Sequence, residues 1–458
     1  MQTSQPVKES NAMPRPEADK RCFSSPVIEQ VLEQMRGKIQ DPKLAELFVA
    51  CFPNTLDTTV TLGADKDGRP DTFVVTGDID AMWLRDSTNQ VWPYLPFAGQ
   101  DPALQRLLQG VINRQVYCVL ADPYANAFNR VPHTSHWESD FTRMTDDLHE
   151  RKYELDSLCA VLRLSYGYYA ATGDASCFDA RWSDAMRLIV ATIRHEQEPS
   201  HEEGAGPDIR EYRFQRESPR PTETLMENGY GQAAARCGLS KSPFRPSDDA
   251  ALLPFLVPAN AMAVVGLRQL ARIWAEAVPQ PEDAAAASAL ADEIDRAIRT
   301  HAVVTHPVHG EVFAYEVDGF GSHYCMDDAN VPSLLSLPYL GYCRPDDPLY
   351  LRTRQFILSD SNPYYAVGSA GRGVGSPHTG KGTIWPMSVM MQILTSRSEE
   401  EVRECLTILR DTDAGTGFMH ESFWKNDASR FSREWFAWAN TLFGEMILHV
   451  DAAFPGVL

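Results

Sequence analysis

The sequence of 458 residues predicts an all-α protein, an (α/α)6 toroid of two concentric helical rings with a few short β-strands. Three observations lead to this prediction. Apolar residues recur at helical spacing along most of the chain, strand candidates are few, and the sequence lacks both βαβ alternation and a glycine-rich phosphate loop. Many amphipathic helices must bury their apolar faces together, and a closed double ring of paired helices is one way to do this.

The helices are predicted from apolar residues that lie three and four positions apart. In the first stretch, 26–49, Val27 and Val31 begin this spacing. Short strands are predicted at 74–75 and 310–317. The helical pattern continues in eight later stretches, which are 104–120, 155–172, 183–195, 258–277, 284–303, 382–394, 398–411 and 435–450.

The loops indicate a single domain. Two segments rich in polar residues, Pro and Gly, 201–221 and 360–381, are predicted to be surface loops. Neither is long enough to separate two domains, so residues 25–458 are expected to fold as one. Residues 1–24 are polar and contain Pro, and they are expected to form a disordered or loosely attached arm.

The charge excludes two classes of partner. The chain carries 62 acidic and 42 basic residues, a formal net charge of −20. Nucleic acids and anionic membrane surfaces both require a concentrated positive field, so neither is an expected partner. A neutral substrate is compatible with this charge.

The cysteines and the N-terminus predict a cytoplasmic protein. Nine cysteines are scattered without CxxC pairs, and no apolar segment of a secretory signal follows the first Met. No cofactor is expected. Metal motifs such as HExxH are missing from the sequence, so no metal site is predicted either.

The first candidate site is the segment 76–87, where acids, an Arg and an indole crowd together. If a helix begins at residue 81, Met82 and Asp86 lie on one face of it. An Arg beside a carboxylate can keep that carboxylate ionised and leave both groups to bind sugar hydroxyls. The alternative is a helix cap with a buried Arg–Asp pair. The candidates here are Asp78, Asp80, Trp83, Arg85 and Asp86.

The second candidate is a pair of adjacent acids that follows Arg245 and Pro246. Asp248 and Asp249 repel each other, and partial burial would raise the pKa of one of them towards that of a general acid. The alternative is that Ser247 or Asp248 only caps the helix that follows.

Three further segments carry candidates. Glu421 lies outside any amphipathic pattern, and Trp435 lies three positions from Trp438 at the start of a predicted helix. Both indoles also fit a helical core. Asp327 and His378 lie in polar segments that resemble cleft lining, although a lone His in a glycine-rich loop is more often structural.

Taken together, these motifs resemble glycoside hydrolase family 125. The resemblance rests on four segments in the order of that family: GDIDAMWLRDS at 77–87, FRPSDDA at 244–250, MHESF at 419–423 and WFAWAN at 435–440. It extends from about residue 25 to the C-terminus.

The resemblance implies an (α/α)6 toroid that removes terminal α-1,6-linked mannose with inversion and without a metal. Its partner would be an α-mannose-containing oligosaccharide. Carried over to this chain, the general acid is Asp248, with Asp249 as the alternative, and the general base is Glu421. Other toroid glycosidases and a non-catalytic glycan-binding protein remain alternatives. The expected substrate-binding residues are Asp78, Asp80, Trp83, Arg85, Asp86, Arg245, Asp249, Asp327, His378 and Trp435.

Overall fold

The computed structural model describes residues 15–199 and 212–458. Within these ranges the helices are α1 (Pro26–Lys38), α2 (Pro42–Cys51), α3 (Asn54–Thr58), α4 (Leu84–Val91), α5 (Pro102–Ala121), α6 (Leu155–Thr172), α7 (Ala180–His195), α8 (Val257–Glu276), α9 (Pro281–His301), α10 (Pro348–Ile357), α11 (Pro386–Leu394), α12 (Glu399–Asp411) and α13 (Ala437–Ala453). Short 3-10 helices occupy Ala18–Lys20, Trp92–Gln100, Pro221–Glu223 and Glu227–Gly229.

The β-strands are short. They are β1 (Val60–Ala64), β2 (Pro70–Val74), β3 (Ala81–Trp83), β4 (Ala127–Asn129), β5 (Leu148–Glu150), β6 (Phe255–Leu256), β7 (Val303–His306), β8 (Gly310–Phe313), β9 (Glu316–Val317), β10 (His323–Tyr324), β11 (Tyr365–Val367), β12 (Arg372–Val374), β13 (Thr383–Ile384), β14 (Ser422–Trp424) and β15 (Asp427–Ser432). They form three antiparallel hairpins and three three-stranded antiparallel sheets, ordered β3-β4-β5, β10-β9-β6 and β13-β14-β15.

The helices pack in two rings. In the inner ring, α4 contacts α6 and α13, α6 contacts α8, and α11 contacts α13. Outside them, α5 contacts α7, α7 contacts α9, and α2 contacts α12. The inner and outer members pair as neighbours in sequence, for example α5 with α6, α8 with α9, and α11 with α12. The predicted (α/α)6 toroid is therefore confirmed.

The inner ring contains one position without a helix. Between α9 and α10 the chain forms a series of turns at 333–341. From these turns Tyr339 Oη donates a hydrogen bond to Glu445 Oε2 on α13 at 3.0 Å. The guanidinium of Arg163 on α6 lies 4.6 Å from the centre of the Tyr339 ring. The turns thus contact two helices of the inner ring, α13 and α6.

Each predicted helical stretch contains a helix, but the prediction of one continuous helix over 26–49 is wrong. The chain leaves the helical conformation after Lys38 and starts α2 at Pro42. Asp41 Oδ1 accepts hydrogen bonds from the backbone N–H groups of Lys43 and Leu44, and Pro42 has no N–H to continue the earlier helix. Two separate helices, the second starting at Pro42, are therefore more stable than one continuous helix over 26–49.

The condition under which Met82 and Asp86 would share a face, a helix that begins at residue 81, is not met. Residues 81–83 form strand β3, which pairs with β4, and α4 begins only at Leu84. Met82 and Asp86 consequently do not share a helix face. Because β3 ends at Trp83, Arg85 and Asp86 lie in the first turn of α4, whose eight residues are all buried.

The predicted loops are more ordered than expected where the structure describes them. Residues 200–211 and 1–14 lie outside the described residues. In the described part of the segment 201–221, Phe214 and Arg216 are buried, whereas Glu217 and residues 219–221 are exposed, so the predicted surface loop has two buried side chains. The segment 360–381 contains the hairpin β11-β12.

The described part of the N-terminal segment packs on the domain. Arg15 Nε donates to Asp57 Oδ2 at 2.5 Å, and Arg15 Nη1 donates to Glu29 Oε2 at 2.8 Å. Of the helices in residues 15–199 and 212–458, none has the length and apolarity that a membrane crossing requires.

Candidate active site

A pocket of about 980 Å³, its open mouth included, lies among loops and strand ends of the toroid. Six segments of the chain that are rich in polar and aromatic residues each contribute to its lining: 76–87, 152–157, 244–250, 324–333, 375–388 and 419–440. Their lining residues include Thr76, Trp83, Arg85, Asp86, Lys152, Pro246, Ser247, Asp248, Asn330, His378, Trp385, Glu421, Arg433, Phe436 and Trp438.

Asp248 enters the pocket from a tight turn. The N–H of Asp248 donates to the carbonyl of Arg245 at 2.9 Å, and the N–H of Arg245 donates to the carbonyl of Asp249 at 2.8 Å. The turn places Asp248 at φ = 65°, a left-handed conformation that Asp tolerates better than most residues. Its side chain is 27% exposed. The turn therefore aims this carboxylate into the pocket and directs the Asp249 side chain elsewhere.

Arg85 is the positive centre beneath Asp248. Its Nη1 atom donates to Glu154 Oε2 at 2.5 Å and to Asp156 Oδ2 at 3.3 Å. Its Nε atom lies 3.3 Å from Asp86 Oδ1, and its Nη2 atom lies 3.5 Å from Asp248 Oδ1. Four carboxylates therefore surround one guanidinium, and they cannot all ionise without strong mutual repulsion.

The environments of these acids separate their pKa values. Burial raises the pKa of Glu154 well above its usual range and raises that of Asp156 to about 6, although Arg85 opposes both changes. Burial also raises the pKa of Asp248, but the charge of Arg85 and a hydrogen bond with Glu154 outweigh it and lower the value to about 2. The pair Glu154 and Asp248 thus favours one proton, held on Glu154.

Glu421 is held by neighbours on the sheet β13-β14-β15. Ser432 Oγ donates to Glu421 Oε2 at 2.8 Å, and the N–H of Glu421 donates to the carbonyl of Ser432. Arg433 Nη1 lies 3.8 Å from Glu421 Oε1 and is itself fixed by Asp78, which accepts from Arg433 Nε at 3.0 Å. The side chain of Glu421 is only 8% exposed. A carboxylate with this set of donors is held in one orientation.

His378 is cationic at neutral pH in this environment. Its Nδ1 atom lies 3.4 Å from Asp249 Oδ1. Burial alone would lower the pKa of His378, but Asp249, and to a smaller extent Glu421 and Asp248, raise it to about 9. The imidazolium can donate a hydrogen bond to a ligand in the pocket while Asp249 holds the ring.

One wall of the pocket consists of residues that the motifs did not indicate. The guanidinium of Arg216 lies 3.6 Å from the centre of the Trp137 ring. Arg216 also forms ion pairs with Asp140 at 2.6 Å and Glu150 at 2.9 Å. Trp137 is 37% exposed, so an indole face is available to a ligand at the mouth of the pocket.

Within the described chain, six of the predicted site residues line the pocket: Trp83, Arg85, Asp86, Asp248, His378 and Glu421. Asp78 and Asp249 do not line it but hold Arg433 and His378, which do. Asp80 is 60% exposed and forms an ion pair with Arg130 outside the pocket.

Three predicted residues have partners elsewhere in the fold. Arg245 is buried and donates to Glu316 Oε1 at 2.6 Å. Asp327 accepts from the backbone N–H groups at the start of the inner-ring turns, and burial raises its pKa to about 8. Trp435 Nε1 donates to Asn54 Oδ1 at 3.1 Å. These three residues stabilise the framework of the pocket.

Sequence reasoning missed several lining residues. Trp438 lies in the core, as expected, and also lines the pocket, with the guanidinium of Arg85 at 5.9 Å from its ring. Arg433 lines the pocket but was not among the predicted site residues, although it lies in a polar segment just before a predicted helix. Glu154, which contacts Arg85 without lining the pocket, also lies in such a segment. This position, just before a predicted helix, was the signal in the sequence that could have indicated both residues. Within residues 15–199 and 212–458, no group of three or more His, Cys, Asp or Glu side chains is arranged to hold a metal ion.

Comparison with known families gives a match over most of the chain. The family model described as metal-independent α-mannosidase, glycoside hydrolase family 125, matches residues 41–448. The meiotically up-regulated gene 157 protein of Schizosaccharomyces pombe is 43% identical over 456 residues, which cover 97% of this chain and 89% of that protein.

Two solved structures place the fold among glycosidases. A metal-independent α-mannosidase of Streptococcus pneumoniae, in a non-productive complex with α-1,6-mannobiose, is 41% identical, with a TM-score of 0.88 over 93% of this chain and 99% of that one. A bacterial glucoamylase complexed with acarbose is 14% identical, with a TM-score of 0.54 over 93% of this chain and 59% of that one. The second likeness shows the toroid fold alone.

Proposed function

Because the chain belongs to glycoside hydrolase family 125, the metal-independent α-mannosidases, we propose that it hydrolyses terminal α-1,6-linked mannose with inversion of the anomeric configuration. The linkage is suggested by the Streptococcus pneumoniae relative, whose structure contains α-1,6-mannobiose. The observation that carries the proposal is that Asp248 and Glu421, which come from two separate motifs, line the same pocket.

In the proposed reaction the two carboxyl groups have different tasks. Asp248 protonates the departing glycosidic oxygen as a general acid. Glu421 removes a proton from a water molecule that attacks the anomeric carbon from the opposite face of the sugar. An inverting enzyme needs about 6.5–9.5 Å between the two carboxyl groups so that this water fits. The contacts with Ser432 and Arg433 orient Glu421, which suits its proposed role as the base.

The remaining pocket residues suit a neutral sugar. Asp86 and Arg85 offer acceptors and donors for mannose hydroxyls, and His378 offers a charged donor. The indoles Trp83, Trp385 and Trp438 offer flat faces for the C–H side of the ring. The partner of this site would be an oligosaccharide that ends in α-mannose.

The proposed compartment is cytoplasmic. The nine cysteines are all free thiols. Burial raises the pKa of several of them, Cys51 and Cys118 among them, which keeps those thiols protonated and poorly reactive. Free thiols in this number suit a reducing environment better than an oxidising one.

The test is an NMR time course with α-1,6-mannobiose, run with and without EDTA. We expect β-mannose to appear first, at a rate that EDTA does not change. The variants D248N and E421Q should each lose at least about 100-fold in turnover, since a general acid or base contributes roughly 100- to 10,000-fold.

Other outcomes identify the alternatives. Early α-mannose would show retention and contradict the inverting mechanism. Cleavage of glucosides in preference to mannosides would point to another toroid glycosidase. Binding of mannobiose without any cleavage would support a glycan-binding protein instead. Wild-type turnover by D248N together with loss of turnover in D249N would transfer the acid role to Asp249.

A further inference from the structure

Glu154 and Asp248 share one guanidinium. Glu154 Oε2 lies 2.5 Å from Arg85 Nη1, and Asp248 Oδ1 lies 3.5 Å from Arg85 Nη2. Because the two nitrogens belong to the same planar group, the two carboxyl groups lie next to each other at the base of the pocket. Glu154 itself does not line the pocket among the described residues, so a substrate would meet Asp248 first.

The two acids differ in their access to solvent and in their partners. The side chain of Glu154 is fully buried, whereas that of Asp248 is 27% exposed. Glu154 Oε2 accepts from Ser157 Oγ at 2.8 Å and from Arg85. Glu154 Oε1 is buried and receives no hydrogen bond from any donor in the described chain. A buried carboxylate oxygen without a donor is costly in the ionised state, so protonation of Glu154 removes that cost.

The charges around the pair require a proton. Arg85 is surrounded by four acids, and the nearest additional cations contact other acids as well, since Lys152 forms ion pairs with Glu150 and Glu223. Among the charged and titratable groups that act on Glu154 or Asp248 are Arg85, Asp86, His149, Lys152, Asp156, Tyr212 and His378. In their presence, a single negative charge on the Glu154–Asp248 pair is more favourable than two.

We propose that Glu154 stores the proton of the general acid, holding it in the resting enzyme and passing it to Asp248 when the glycosidic bond breaks. This inference rests on the proposed function. It makes Glu154 a positioning and proton-supplying residue that acts through Asp248 and does not touch the substrate.

The proton transfers balance without another reactant. The O–H bond of Glu154 breaks as an O–H bond forms on Asp248. That proton then moves to the glycosidic oxygen, which takes the electron pair of the breaking bond to the anomeric carbon. Water adds to the anomeric carbon and gives its proton to Glu421. After the products leave, the proton on Glu421 is released to solvent and one is taken up by the Glu154–Asp248 pair.

The experiment compares two substrates that differ in their need for an acid. α-1,6-Mannobiose has an alcohol leaving group that must be protonated, whereas α-mannosyl fluoride releases fluoride without a proton from the enzyme. We expect E154Q to hydrolyse mannobiose at least about 10-fold more slowly, since it impairs a general acid that contributes about 100-fold or more. Its rate with the fluoride should stay within about 3-fold of wild type, because attack by water still depends on Glu421.

The matched control is E445Q. Glu445 is a partly buried glutamate of the same toroid with a raised pKa, about 7, and it lies outside the pocket lining among the described residues. The ratio of the two rates should be unchanged in E445Q. In E154D, which keeps a carboxyl group, part of the mannobiose rate should return, and this variant also serves if E154Q does not fold.

The pH profile gives a second readout. With Glu154 replaced by Gln, Asp248 must hold its proton alone, so the alkaline limb of kcat/KM for mannobiose should shift to lower pH. A uniform loss of rate with both substrates, or an unshifted limb, would reduce Glu154 to a structural role. The variant D248N distinguishes failure of this inference from failure of the proposed function, because it should lose mannobiose hydrolysis and keep fluoride hydrolysis. If D248N hydrolyses mannobiose normally, the acid assignment itself is wrong.

Discussion

The orientation of Glu421 depends on a hydroxyl group. Ser432, the last residue of β15, donates to Glu421 Oε2 at 2.8 Å and lies 2.7 Å, oxygen to oxygen, from Ser422 Oγ. This chain of three side chains fixes one oxygen of the proposed base. The other oxygen faces Arg433. A base that is held on both sides can remove a proton from the attacking water with little reorganisation.

We therefore expect S432A to lower kcat for mannobiose by about 10-fold, which corresponds to the loss of one oriented hydrogen bond of roughly 1.4 kcal/mol. The matched control is S429A on the same strand, whose hydroxyl bonds to Asp427 on the protein surface. Steady-state kinetics of both variants provide the measurement. Equal kcat values for S432A and wild type would show that Ser432 does not position the base.

Single residues of the site were predictable where they belong to a motif, as Asp248 and Glu421 do. Their supports were not. Asp78 meets Arg433 across 355 positions of sequence, and no local pattern indicates such a pair. The sequence placed Asp78 in the first candidate cluster, but only the fold distinguishes a residue that lines the pocket from one that holds its neighbour.

At the scale of elements, helix α4 was missed for a physical reason. Its sequence, LRDSTNQV, is polar, yet all eight residues are buried. Hydrogen bonds stabilise several of them: Thr88 Oγ1 donates to the carbonyl of Ala160, and Gln90 Nε2 donates to the carbonyl of Val75 at 2.9 Å. Hydrophobic periodicity detects helices that are half exposed. It therefore cannot detect a polar helix such as α4, which belongs to the inner ring and is buried on all sides. The longer helices, α5 and α6 for example, show apolar spacing and were predicted.

The loop 130–147 between β4 and β5 contributes the exposed indole of Trp137 to the pocket mouth. W137A should raise the KM for mannobiose by about 10-fold and change kcat little, because a stacked ring contributes on the order of 1 kcal/mol of binding. F141A is the control from the same loop: its ring also contacts an arginine, Arg213 at 4.5 Å, but it lies outside the described pocket lining. An unchanged KM in W137A would exclude Trp137 from substrate binding.

For the whole molecule, the prediction of a toroid succeeded because nine stretches of helical spacing had to be accommodated in one core. Closure of the ring was not visible in the sequence. It depends on contacts such as α4 with α13, whose residues are more than three hundred positions apart, and on the turns at 333–341 that replace one inner helix.

A partly buried acid on α13, Glu445, makes stability depend on pH. Burial raises the pKa of Glu445 to about 7. Because this folded-state value is above the unfolded one, the contribution of Glu445 to stability is fully present below about pH 4.5 and is lost as the pH rises through 7. E445Q should therefore increase the free energy of unfolding at pH 8 by roughly 1–3 kcal/mol and show no such increase at pH 4.5.

Urea unfolding at the two pH values measures this difference. The control is E46Q, which replaces an exposed glutamate on α2 and should change stability little at either pH. A gain in E445Q that is the same at both pH values would contradict the assignment of the pH dependence to Glu445.

The left-handed backbone at Asp248 also limits how this enzyme can vary. Asn and Gly tolerate that conformation, and a single nucleotide change converts an Asp codon to either of them, whereas Ala and Val introduce strain at the same position. Genetic drift in a lineage that no longer needs the activity would therefore pass most easily through Asn or Gly at this turn. The result would be well-folded descendants that keep the sugar pocket and lose the hydrolase.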